Sequence, residues 1–146
     1  MPLMTGGEAI VKTLARDGVT VVFGLPGVQL YGVLAGLRDE PGMRFITCRH
    51  EGATTYMADG YARAGGKIGA ALVVPGPGLF NAAGGLTTAY SASSRVLLIV
   101  GEIPRHQIGK GIGALHEVER QLDAIATVTK WRKSITSVPD APRIVR

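Results

Sequence analysis

An α/β three-layer sandwich on an open, mainly parallel sheet is the fold this sequence predicts, and three observations carry it. Helical and strand patterns alternate from the start of the chain. The strand-like runs are uniformly apolar, "VTVVF", "IGAALVV" and "VLLIV" among them. Such runs mark strands covered on both faces, as in a parallel sheet between helix layers. Glycine-bearing turns follow several of these runs, at the places where a strand must hand over to a helix. A chain of 146 residues with 46% apolar and 18% charged residues is long enough to bury a core as one domain and far from a disordered composition.

The elements follow in order. "TGGE" at residues 5–8 fits a capping box, and Ile10, Val11 and Leu14 form an apolar stripe that ends at Gly18. Residues 19–23 read as a buried strand. "GLPG" breaks it, and Leu30, Val33, Leu34 and Leu37 follow at helical spacing up to the turn at Pro41 and Gly42. Residues 44–47 read as the next strand, 52–64 as a helix, 68–74 as a strand, 79–90 as a helix and 96–100 as a further strand. Beyond Val100 the pattern loosens. Residues 109–113 form a glycine-rich loop, 116–126 a helix and 127–131 a last strand. Asp140 reads as an N-cap and Pro142 as a first-turn residue. The pattern stops after one helical turn, too little for a stable helix alone, which points to a domain cut from a longer protein.

Composition narrows the function classes. A net charge of +5 invites an anionic partner, but the basic residues are scattered apart from Lys130, Arg132 and Lys133, and no nucleic-acid module accompanies them. Cys48 is the single cysteine, which excludes a disulfide framework and a cysteine-based metal site. It reads as a small apolar residue ending a strand. No apolar run is long enough to span a bilayer, and a cytoplasmic protein is expected.

In open parallel sheets ligands gather at the carboxyl ends of the strands, where "GLPG", "RHEG", "GPGLFN" and "GEIPR" would meet. "GPGLFNAAG" partly mimics a dinucleotide fingerprint with Glu102 as the distal acid. However, Asn81 replaces the third glycine and Pro77 stiffens the turn. Asp59 with Asn81 could pass for a magnesium pair, but Asp59 falls inside a helix and reads as a solvated helix residue. Glu51 sits at a strand-to-helix junction on the ligand edge. By position it is either a catalytic carboxylate or a first-turn acid favoured by the helix dipole and paired with Arg49 or His50.

Taken together, "VFGLPG", "RHEGATTYMADGYAR", "GPGLFNAAGGLTTAY", "VLLIVGEIPR" and "VTKW" stand in the order and spacing of one family. The chain resembles the N-terminal pyrimidine-binding (PYR) domain of thiamine diphosphate enzymes of the acetolactate synthase and 2-oxo-acid decarboxylase group, over essentially its whole length. The resemblance implies that Glu51 bonds the N1′ nitrogen of the cofactor's aminopyrimidine and exchanges a proton there, a role glutamine could not fill because it does not titrate. It also implies that Pro26, Gly27 and Val28 border the reacting end of the cofactor, and that Gly76, Gly78 and Asn81 border the pyrimidine side.

By the same resemblance, Mg2+ and the diphosphate are held by a separate diphosphate-binding (PP) domain, since no Gly-Asp-Gly motif is present and Asn81 is the only asparagine. Residues 1–146 are therefore expected to be a single PYR domain that is inactive alone. It would belong to a longer decarboxylase or carboligase, or be an alpha subunit that meets the PP domain of a partner subunit. A homo-oligomer, dimer or tetramer, acting on a small 2-oxo acid is expected, with no nucleic acid or membrane involved. Departures from the family pattern leave the reaction type open. Val74 stands where some decarboxylases carry histidine, Val28 where synthases carry a second glycine, and His116 where they carry glutamine. His116 could take a substrate role, but it reads more readily as a surface histidine in a glycine-rich loop. A non-catalytic α/β interaction module and a nicotinamide-binding domain remain alternatives.

Overall fold

The computed structural model describes residues 3–146. Four parallel strands form its sheet in the order β2-β1-β3-β4, from β1 (Val21–Gly24), β2 (Arg44–Thr47), β3 (Gly69–Val73) and β4 (Val96–Val100). Between them run α1 (Gly6–Arg16), α2 (Tyr31–Asp39), α3 (Glu51–Gly65) and α4 (Pro77–Ser91). The α/β sandwich expected from the alternating pattern is the observed architecture.

Local sequence explains most boundaries. Thr5 and Glu8 close the capping box at the start of α1: the Glu8 amide donates to Thr5 Oγ1 at 3.2 Å, and Glu8 accepts from the Thr5 amide at 2.6 Å. Val11 and Leu14 of α1 and Leu37 of α2 pack with Val22, Ala70 and Leu72 on one face of the sheet. On the other face Phe23 and Ala71 pack against Ala58 of α3. α4 lies mainly against α3 rather than on the sheet. As a result β3 is buried along its whole length, but β4 is only half-buried despite its equally apolar sequence.

The segment after Val100 departs from the sequence reading. Residues 116–126 are not one helix. His116 has φ +66°, and only α5 (Gln121–Ala124) and a single 3-10 turn at Ala126–Val128 are helical. No strand follows at 127–131. Thr129 is extended but pairs with no ladder, and Trp131 is largely exposed. Glycines at 109, 111 and 113, all with positive φ, keep the chain irregular there. The segment is instead held by buried side chains, Ile103, Gln121 and Ile125 among them. α6 (Ala141–Val145) begins after Asp140 as expected. Its stability comes from packing against α1, with Ala141 and Ile144 buried and Val145 joining the core. The Asp140 carboxylate accepts from Ser137 Oγ and Arg143 rather than capping a backbone amide.

Candidate functional site

Glu51 opens α3 at the carboxyl edge of the sheet, and two neighbours it might have paired with are otherwise placed. His50 caps its own helix, its Nδ1 accepting from the Gly52 amide at 3.0 Å. Arg49 makes no ion pair among the described residues. The partner Glu51 does have is Asn81, whose Nδ2 donates to Oε2 at 3.0 Å. The other carboxylate oxygen, Oε1, takes no hydrogen bond from the described residues and faces Gly78, where an added Cβ would lie 3.6 Å away.

Helix register explains why a residue in α4 meets one in α3. The two helices touch closely one turn further along, where Thr55 Oγ1 donates to Ala82 O at 2.7 Å. Gly85 makes that approach possible, because a Cβ there would overlap Thr55 and the Tyr56 backbone. Residues 51 and 81 each stand one turn before 55 and 85, on the same helix faces. The small residues between α3 and α4 therefore carry Asn81 onto Glu51.

Val74 joins this corner to the turn after β1. Gly27 and Gly78 sit against its two methyl groups, and a Cβ at either would collide with them. Gly27 is extended, so closeness rather than φ demands glycine there. Gly76 demands it for both reasons. Its φ is +58° with ψ −115°, and a Cβ would meet the His116 carbonyl at 2.6 Å. Pro26 and Val28 are exposed at the same edge. The structure thus brings Glu51, Gly78 and Asn81 into contact. Gly27 is linked to them through Val74, while Gly76 is buried one layer behind.

Three side chains read differently from their sequence context. Asp59 is not solvated: it is 4% exposed, and Oδ1 has no hydrogen-bond partner while Oδ2 meets Arg63 at 3.5 Å. α3 is packed by the sheet on one side and by α4 on another, and Asp59 lies on its covered part. His116 is half-buried with Nδ1 unpartnered, not a free surface histidine. Cys48 is buried as expected, 3.6 Å from the Met57 sulfur, and burial pushes its thiol up from the ordinary value. That suits an inert packing role. No cluster of potential metal ligands exists among the described residues, and no helix is long and apolar enough to cross a membrane.

Gln121 escaped the sequence reading altogether. It is buried, accepts from the Gly76 amide at 3.4 Å, and donates to Gly101 O at 3.3 Å and to Glu102 Oε2 at 2.6 Å. One side chain thus ties the ends of β3 and β4 together. A signal was available: Gln121 falls on the helical stripe of Val118, Leu122 and Ile125, where an apolar residue would be expected.

Known proteins give this edge a context. The sequence model of the family described as "Thiamine pyrophosphate enzyme, N-terminal TPP binding domain" matches residues 4–127. Among curated proteins, the chain is 38% identical over 142 residues to "Probable 2-ketoarginine decarboxylase AruI" of Pseudomonas aeruginosa, covering 97% of this chain and 25% of that protein. It is 38% identical over 149 residues to "Acetolactate synthase isozyme 3 large subunit" of Escherichia coli, covering 100% and 25%. The "Acetolactate synthase large subunit" of Lactococcus lactis is 34% identical over 141 residues, covering 97% and 24%. The chain spans about a quarter of the length of these relatives.

Proposed function

We propose a function from this premise: the chain belongs to the thiamine pyrophosphate enzymes, as an N-terminal TPP-binding domain of that family. On our reading it serves a 2-oxo-acid decarboxylase or carboligase of the acetolactate synthase kind, with Glu51 as the residue that addresses the cofactor's pyrimidine. The names of its relatives, a 2-ketoarginine decarboxylase and acetolactate synthases, support that substrate class.

The observation that carries the role of Glu51 is its half-satisfied carboxyl group. Asn81 holds Oε2, and Oε1 remains available beside a glycine that leaves room for a ring. Those residues fit an aminopyrimidine, whose N1′ needs one titratable oxygen at a fixed angle. When bound, thiamine diphosphate supplies the electron sink that 2-oxo-acid decarboxylation requires. Glu51 would hold and exchange a proton at N1′ through Oε1, with Asn81 keeping the carboxyl group from rotating. Gly78 would border the pyrimidine with the Gly76 turn supporting it from behind, and Pro26, Gly27 and Val28 would border the reacting end.

Tyr56 and Met57 of α3 and Phe80 of α4 stand exposed, apolar surface that suits closure by another protein domain. We take the closing surface to be a PP domain that holds Mg2+ and the diphosphate, in an oligomeric cytoplasmic enzyme. On the same reading residues 1–146 are one domain of a longer chain, which the quarter-length match to the relatives supports.

The test uses the full-length enzyme with thiamine diphosphate, Mg2+ and a panel of 2-oxo acids. Glu51→Gln keeps the hydrogen bond to Asn81 but cannot titrate, and kcat is expected to fall by roughly 10²–10⁴. Unchanged turnover in the variant sinks the role of Glu51. Absence of turnover in the wild type would instead favour a non-catalytic interaction module.

A further inference from the structure

A second carboxylate stands at the same edge of the sheet. Glu102 follows β4 and helps line a pocket of about 370 Å3 with Val28, Gln29, Pro104, Gln107 and Leu115. It is the one charged group among those six residues. Two donors pin it: the Ile103 amide at 2.9 Å on Oε1 and Gln121 Nε2 at 2.6 Å on Oε2. No cation pairs with it among the described residues, although the chain carries a net charge of +5. Arg105, three residues on, is turned away, its guanidinium donating to Thr136 O.

The rest of the lining is uncharged. Gln29 spends its amide nitrogen on Leu115 O at 3.1 Å. Its Oε1 is buried without a partner, out of reach from the open pocket. The pocket therefore offers the Glu102 carboxylate and the Gln107 amide, set among the aliphatic surfaces of Val28, Leu115 and Pro104. A carboxylate held by two hydrogen bonds still has lone pairs free and does not lose side-chain freedom again on binding. The complementary ligand carries several N–H donors and a positive charge at the end of a methylene chain.

We infer that this pocket is the recognition subsite for the cationic end of the substrate, a 2-oxo acid with a guanidinium or ammonium tail, and that Glu102 receives that charge. The inference rests on the function proposed above, because Val28 is the residue that joins the pocket to the reacting end of the cofactor. Gln121 acts as a positioning residue: it fixes Glu102 and the Gly76 turn with one amide, so tail recognition and pyrimidine site share a support.

The experiment compares 5-guanidino-2-oxopentanoate with 2-oxooctanoate, its uncharged counterpart of similar length, on the full-length enzyme. The wild type is expected to favour the guanidino acid by roughly tenfold or more in kcat/KM, the scale of a hydrogen-bonded charge. Glu102→Gln, whose amide oxygen still accepts from Gln121, should remove most of that preference, chiefly through KM. Glu102→Lys should shift preference toward 2-oxoadipate, which ends in a carboxylate. A wild-type preference for 2-oxooctanoate, or a ratio that neither substitution moves, overturns the inference.

Calorimetric titration with butylguanidinium reads the pocket without chemistry. Binding weakened about fivefold or more by Glu102→Gln supports the subsite, and equal affinities overturn it. No turnover of either acid, with butylguanidinium still bound through Glu102, overturns the enzymatic reading while retaining the cation subsite.

Discussion

Glu51 and Glu102 stand at the same edge of one sheet, yet the protein fixes them by different means. Glu51 is placed by regular structure. It is the first residue of a 15-residue helix, and its partner Asn81 comes from a second 15-residue helix packed in register against the first. Glu102 lies at the start of an irregular segment and is placed by the adjacent Ile103 amide and by a side chain arriving from Gln121. In the first region backbone periodicity does the positioning, and side chains add a final contact. In the second, one buried amide substitutes for a helix or strand. Such a tether depends on fewer interactions and fails with a single substitution.

The two regions touch at Gly76, and a substitution there has the largest expected effect. Gly76→Ala puts a Cβ 2.6 Å from the His116 carbonyl at a φ of +58°. A loss of about 3 kcal/mol is expected from the backbone conformation alone. Chemical denaturation measures it, and a loss below about 1 kcal/mol would show that the turn adapts and that the regions are not rigidly joined.

Gln121→Met sharpens the contrast, because it keeps volume and removes the tether. The Gly76 amide and Gly101 carbonyl would lose their partner, at an expected cost of about 2 kcal/mol. Hydrogen exchange should rise across residues 101–125 and stay unchanged in α3. Equal increases in both places would show that the second region is not separately held.

Thr5→Ala probes the regular region alone. Losing the cap should cost about 1 kcal/mol in denaturation, with exchange at Gly76 and Gly101 unaltered.

How much could be read from sequence follows the same division. Up to Val100 each element was legible to within about two residues, because caps, periodic apolar residues and glycine turns are local signals. The junction that holds Glu51 was legible for that reason. Residues 116–131 were not, since the amphipathic spacing of Val118, Leu122 and Ile125 is compatible with a helix that the segment does not form. Asp59 misled as well. Its place inside a helix suggested a solvated residue, but the packing of that helix leaves it 4% exposed.

By itself the sequence determined the alternation of strands and helices, the glycine turns and the placement of a glutamate at a helix start, all consequences of forces acting within a few residues. Only the tertiary structure decided that Asn81 holds that glutamate, that Val74 lies between Gly27 and Gly78, and that Gln121 binds two strand ends. Each of these contacts joins residues distant in sequence, and their register depends on how closely whole elements pack, which no local pattern encodes.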